Sequence, residues 1–268
     1  MTDATVADSR DLPDELPTFA ALFNFRDLGG YPTITGARTL RGRVFRSDGI
    51  HRCGDDDLER LTQLGLTRVI DLRTDRERTN DGCFDPEHPS IDYHHVPVLD
   101  EAAGVAGLEA RRAEIAKAEA EGIPPLLATY RRVLATRGER LVEAIELIAS
   151  APGPVAFHCT AGKDRTGLVA ALVLSSVGVP DDVVVEDYAR SRAAMTRLVE
   201  WYRANRAGDT TGANLTSRRS RSLLGAEPEW MRTVLDELRE QHGSVPRYLQ
   251  SVGATRSLLD RLAERLIA

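Results

Sequence analysis

The sequence predicts an α/β domain, a mainly parallel sheet of about four or five strands with helices on both faces, and three observations carry that prediction. Compact β-branched and aromatic runs at 67–73 and 155–158 have the continuous apolar character of strands buried on both faces. Segments of helical period lie between the strand candidates, the alternation that builds a parallel sheet. From Val155 the chain passes through a small-residue turn into the aliphatic stretch Leu168 to Val177, which reads as buried strand, tight loop, buried helix. At 268 residues, 42% of them hydrophobic and 28% charged, the chain has the length for one large domain, and no internal repeat or linker divides it.

Residues 1–18 mix Asp, Ser, Pro and Leu without a period and are expected to form a mobile tail; a single folded domain is expected over 19–268. Asn24 to Tyr31 alternates apolar and polar residues before a glycine pair, and Val44 to Asp48 alternates again, so both are expected as edge strands. Asp55 to Asp57 precede Leu58, Leu61 and Leu64, with Gly65 after them; an acidic start, a period near 3.6 and a glycine stop make a short helix. Thr67 to Arg73 supplies a strand beside the one that ends before Cys159, placing Asp71 and Arg73 at its carboxyl end. Ile91 to Val98 reads as a further strand running toward Asp100. Gly107 to Gly122 holds strong helix formers but a thin apolar stripe, the mark of an exposed, loosely docked helix, and Pro124-Pro125 ends it.

Leu126 to Ala135 and Arg140 to Ile148 have firmer aliphatic faces and complete a parallel crossover into the strand at Val155. Pro180-Asp181-Asp182 starts a helix whose Met195, Leu198, Trp201 and Tyr202 form an apolar face. That face is read as packing first, with one or two members open to a hydrophobic slot. The loop 207–226 carries Arg218, Arg219 and Arg221, either a solvated basic turn or a collector of anions. Pro228 opens the C-terminal helices.

Lys plus Arg number 35 against 41 for Asp plus Glu, and the formal charge of −6 disfavours general binding to nucleic acid or to a membrane surface. No apolar run of 18 residues is present and the N-terminal stretch is acidic, without the hydrophobic core of a signal peptide, so a cytoplasmic location is expected. Three cysteines, Cys53, Cys83 and Cys159, make neither a metal-spacing pair nor an even disulfide framework, which suits a reducing compartment. Oxidative pairing of Cys53 or Cys83 with Cys159 stays open, beside the plainer reading of isolated thiols.

The chemistry concentrates in His158-Cys159-Thr160-Ala161-Gly162-Lys163-Asp164-Arg165-Thr166-Gly167. Backbone N–H groups of Thr160, Ala161, Gly162, Lys163, Asp164 and Arg165 are expected to turn inward as a nest, and the helix that begins near Arg165 adds its unsatisfied donors and positive dipole end. Phosphate is the expected guest. The field that draws a dianion also favours an anionic sulfur at Cys159, and His158 beside it acts in the same sense. Arg165 stands six positions after Cys159, where a curled loop returns its guanidinium to clasp two phosphate oxygens in a planar fork that lysine cannot copy. A small core cysteine would leave Gly162 to Thr166 unexplained. The spacing of a nucleotide-binding glycine loop fails, because Asp164 follows the lysine where Ser or Thr is required.

His-Cys, five intervening residues, Arg and Thr resembles the signature of cysteine-dependent phosphatases. The fuller HCTAGKDRTG resembles the bacterial tyrosine/serine protein phosphatases, whose loops are also similar to those of phosphoinositide phosphatases. NFRDLGG at 24–30, FRSD at 45–48, DLR at 71–73 followed by Glu77, and DYARS at 187–191 extend the resemblance over roughly 19–268. It implies a protein-tyrosine-phosphatase-like fold and hydrolysis of phosphotyrosine, with phosphoserine and phosphothreonine as further substrates, through a phosphocysteine on Cys159 and without metal or cofactor. In that scheme Thr166 donates to the sulfur as it leaves, and His158 orients the loop. The acid that protonates the leaving oxygen is Asp164 or Asp100; Asp164 is preferred because it lies in the loop itself. Glu77 or Asp71 is expected to hold Arg165 in plane, and Arg26 either lines the pocket or pins its strand in an ion pair with Asp27. The resemblance also implies that 101–125 is a helical lid. A phosphoinositide phosphatase stays open, with Lys163 meeting a further phosphate on an inositol ring, and so does a silent module that binds phosphorylated partners.

Overall fold

The structure, a computed structural model, describes residues 17–100, 104–205 and 225–267. The expected tail and the arginines of the 207–226 loop lie almost wholly outside the described residues. Five strands, Arg26–Asp27 (β1), Val44–Ser47 (β2), Arg68–Asp71 (β3), Asp92–His95 (β4) and Val155–His158 (β5), form one sheet in the order β1-β2-β5-β3-β4. All neighbours are parallel except the antiparallel pair β1–β2. The α/β class and the mainly parallel sheet are those the sequence predicts. Of the two expected edge strands only β1 lies at an edge. Every residue of β2 is buried between β1 and β5, so its alternating pattern reflects Arg46 and Ser47, polar residues that tertiary partners make tolerable inside.

Parallel neighbours need crossover connections, and the helices supply them on both faces. Asp55–Gln63 (α1) joins β2 to β3, and Asp75–Asp81 (α2) joins β3 to β4. Gly104–Ala120 (α3), Pro125–Thr136 (α4) and Gly138–Ala149 (α5) lead from β4 back to β5 at the centre of the sheet. Asp164–Ser176 (α6), Asp181–Asn205 (α7), Pro228–His242 (α8), Val245–Ser251 (α9) and Arg256–Leu266 (α10) complete the layer. Their aliphatic residues build the main core with Val44, Ile70, Val155 and Phe157; Phe45, Val69 and Ala156 face a second core with Leu61, Ile50 and Phe84. Of the expected lid, 101–103 lie outside the described residues. In α3 the described side chains from Glu109 onward are mostly exposed, with Ala118 buried, as its thin stripe predicts. Among the described residues no helix is long and apolar enough to cross a membrane.

In-register parallel strands send aligned residues to the same face. Ser47, His158 and Asp71 therefore form one buried polar row at the carboxyl ends of the three central strands, and Arg46, Phe157 and Ile70 form the row facing the main core. The point where β5 inserts between β2 and β3 is the carboxyl-end crevice at which open α/β sheets place their ligands.

Candidate active site

The loop from Cys159 to Lys163 crosses from β5 to α6 at this crevice, with Cys159 buried at its start. Gly162 makes its curl possible. Its φ of +64° is left-handed, and a Cβ there would sit 2.5 Å from Ser47 O and 2.6 Å from Asp48 N, both backbone atoms, so only glycine lets the loop lie on the end of β2. Asn24 Nδ2 donates to Ala161 O and Gly162 O at 3.0 and 2.9 Å, and Arg46 Nη2 donates to Gly162 O at 2.8 Å. A trans peptide points its N–H opposite to its carbonyl, so these bonds fix the direction of the Gly162 and Lys163 amides.

Arg165 is clamped from outside the loop. Its Nη1 and Nη2 meet Glu77 Oε2 and Oε1 at 2.5 and 2.7 Å, a fork-to-fork pair that fixes the guanidinium plane. Thr160 Oγ1 donates to the same carboxylate at 2.5 Å, and Glu77 closes a capping box with Thr74 at the start of α2, accepting from the Thr74 amide at 2.9 Å. Burial alone would raise the Glu77 carboxyl. The Arg165 charge and the hydrogen bonds from Arg165, Thr160 and Thr74 outweigh it and hold the group well below the usual carboxylate range. Of the two expected holders of Arg165, Glu77 makes the contact. Asp71 is spent on Arg73 in a buried pair at 2.7 Å, because two residues apart on one strand end they fold back on each other.

The remaining sequence motifs converge beneath the loop. Asp187 of α7 takes Arg46 Nη1, Arg26 Nε at 2.8 Å and the Tyr31 hydroxyl at 2.9 Å. Arg26 thus pairs with Asp187 and not with Asp27, whose carboxylate accepts from the Gly29 and Gly42 amides. Asp48 accepts from the amides of Phe23 and Asn24 and from Arg52 Nη2 at 2.5 Å; Arg52 also donates to Thr160 O. The sequence marks Asn24, Arg46 and Asp187 only as members of motifs, and the signal that they matter is polar residues in segments otherwise bound for the core. Met195, Leu198 and Tyr202 pack as a third small core, with Phe23, Ala161 and Trp201 partly buried against it.

His158 is fully buried, its Nδ1 near Cys159 O at 3.2 Å and its Nε2 3.9 Å from Asp71 Oδ2; burial pulls its imidazole down to about 4, so the ring is neutral at pH 7. Thr166 Oγ1 is buried without a hydrogen-bond partner among the described residues. Asp164 accepts from the Tyr130 hydroxyl and lies 3.5 Å from Lys163 Nζ, its side chain 31% exposed. Asp100, 44% exposed, is instead paired with Arg137 at 2.8 Å, where α4 meets α5. Lys163 is 1% exposed, and its Nζ donates at 2.9 Å to Gly225 O, from the segment leading into α8.

A Cys-x5-Arg loop held between a central parallel strand and the first turn of a buried helix defines the class, an α/β protein with that loop at the carboxyl end of its sheet. A family model described as the tyrosine phosphatase family matches residues 17–268. The chain is 30% identical over 281 residues to the triple specificity protein phosphatase PtpB of Mycobacterium tuberculosis, spanning 92% of this chain and 96% of that protein. It is 28% identical over 226 residues to the tyrosine-protein phosphatase of Nostoc commune, spanning 82% of this chain and 73% of that protein. Among solved structures, TpbA of P. aeruginosa aligns at a TM-score of 0.30 and 17% identity over 78% of this chain and 97% of that one, a likeness too low to carry an argument. The chain belongs to the tyrosine phosphatase family.

Proposed function

We propose that the protein is a protein phosphatase that hydrolyses phosphotyrosine, and phosphoserine and phosphothreonine more slowly, through a phosphocysteine on Cys159. The observation that carries this reading is the Arg165–Glu77 fork, which presents a preorganised, charged donor plane to the loop that Cys159 opens. The Cys159 thiolate attacks phosphorus, the S–P bond forms as the P–O bond to the leaving group breaks, and Arg165 with the loop amides stabilises the equatorial oxygens. Asp164 gives its proton to the departing oxygen. Water then attacks the phosphocysteine, its proton passes to Asp164, and the thiolate leaves with the Thr166 hydroxyl donating to it. No step calls on a metal. The free thiols of Cys53, Cys83 and Cys159 suit a reducing compartment, and the sparse anchoring of α3 suits a movable cover over the loop.

The buried position of Lys163 favours monoesters on protein over inositol polyphosphates, since the cation that would meet a second phosphate is engaged by Gly225 O. The test is a panel of phosphotyrosine, phosphoserine and phosphothreonine peptides and phosphoinositides, assayed with the wild type and Cys159→Ser. Peptide turnover, insensitive to chelators, blocked by vanadate and abolished in Cys159→Ser while phosphopeptide affinity persists, is the expected result. Phosphoinositide turnover that exceeds peptide turnover would overturn the substrate assignment, and substantial turnover by Cys159→Ser would overturn covalent catalysis.

A further inference from the structure

Asp164 is tied directly to Tyr130, which belongs to none of the sequence motifs, and through it to Tyr188 of DYARS. The Tyr130 hydroxyl, from α4, donates to Asp164 Oδ1 and lies 2.8 Å from the hydroxyl of Tyr188, from α7. Both tyrosines are buried, their rings edge-on at 87° with centroids 6.3 Å apart. Room for the pair is made by Gly167, the last residue of the loop motif: a Cβ there would meet Tyr188 Cδ2 at 2.9 Å. Lys163 Nζ lies 3.5 Å from the same oxygen, Oδ1, and Oδ2 accepts no hydrogen bond among the described residues.

We propose that Tyr130 and Tyr188 are positioning residues: Tyr130, held by Tyr188, clamps Oδ1 of Asp164 and leaves Oδ2 to exchange the proton with the leaving-group oxygen and, in the second half-reaction, with the attacking water. The inference rests on Asp164 being the acid. As Oδ2 loses its proton to the departing oxygen, negative charge grows on Oδ1, and the Tyr130 O–H···Oδ1 bond becomes a charge-assisted one, so the clamp strengthens along the reaction coordinate. Tyr130 keeps its proton throughout. Burial first, and then the neighbouring Asp164 and Tyr188, push its phenol well above the ordinary value, and burial does the same for Tyr188. The groups that face this cluster are Lys163 and Arg165 from the loop and its helix, Arg46 from β2, Tyr188 from α7 and Glu227 from the segment before α8.

Tyr130→Phe, Tyr188→Phe, Asp164→Asn and the double variant Tyr130→Phe/Asp164→Asn are assayed across pH on an aryl phosphate with a good leaving group and on a phosphoserine peptide. Phenylalanine keeps both rings, and the aryl phosphate rate reports an intact loop. Tyr130→Phe is expected to lower kcat on the phosphoserine peptide about tenfold while affecting the aryl phosphate far less, and to move the alkaline limb of the pH profile upward because the carboxylate has lost a donor. Tyr188→Phe moves both in the same direction by less. In the Asp164→Asn background, Tyr130→Phe should add nothing on the phosphoserine peptide. A Tyr130→Phe effect that is equal on both substrates, with the limb unmoved, overturns the inference, and so does a full additional loss in the double variant. If Asp164→Asn itself shows no leaving-group dependence, the acid assignment fails instead. Should Tyr130→Phe not fold, the sign and selectivity of Tyr188→Phe decide the matter.

Discussion

Replacing Glu77 by Gln probes the outer clamp on Arg165 with little change of shape. The carboxylate receives four hydrogen bonds, from Arg165 Nη1 and Nη2, Thr160 Oγ1 and the Thr74 amide. Glutamine keeps one acceptor oxygen and turns an NH2 toward the guanidinium, so one arm of the fork and the whole ionic component are lost. Hydrogen bonds between charged groups contribute about 1.5–3 kcal/mol. The side chains of Arg165 and Glu77 are 12% and 25% exposed, and solvent screening places the loss toward the lower end, roughly 1.5–2 kcal/mol. Expressed as transition-state stabilisation this is about a 10- to 30-fold fall in kcat/KM, since Arg165 would no longer be held in the plane of the phosphate oxygens. The assay is kcat/KM on an aryl phosphate, whose good leaving group removes the acid from the measurement. Thr74→Ala is the control: it breaks the capping box at a cost of about 1 kcal/mol in stability and leaves the fork intact, so kcat/KM should stay within about twofold. A Glu77→Gln loss below about twofold, or one matched by Thr74→Ala, would refute the reasoning.

Gly162→Ala should lose activity and at least about 2 kcal/mol of stability, because the new Cβ meets the backbone of Ser47 and Asp48 and φ is positive; a variant of wild-type turnover and urea midpoint would contradict the loop geometry. Asp187→Asn should destabilise by about 3–5 kcal/mol, since it leaves Arg46 buried against an uncharged partner, with the unfolding midpoint as the readout. His158 and His51 are pulled by burial from 6.5 to about 4 and about 2, so the folded state keeps them neutral while the unfolded chain takes up protons below 6.5. Their contribution is present in full above that value and is lost as pH falls, for His158 down to about 4, on the order of 3 kcal/mol, and for His51 onward to about 2. Urea midpoints that stay flat from pH 6.5 to 4.5 would disprove it.

What the sequence determined by itself is what short-range physics specifies. The β-branched run at 155–158, the glycine in the loop and the aliphatic stretch after it set strand, turn and helix through local conformational preference, and the Cys-to-Arg spacing brings both side chains to that turn. The parallel class followed from alternation of element types. Tertiary structure alone decided which partner each polar residue takes. Glu77 rather than Asp71 reaches Arg165, across 88 positions, because α2 returns over the loop while Asp71 is consumed by its own strand end. β2 became interior because Arg46 found Asp187 on α7, 141 positions away. Lys163 found Gly225 O, 62 positions away, and Tyr130, without any motif around it, came to Asp164 through the docking of α4. A buried polar atom must find a partner wherever the packing offers one, and the direction in which a side chain reaches depends on helix crossings that no local pattern encodes.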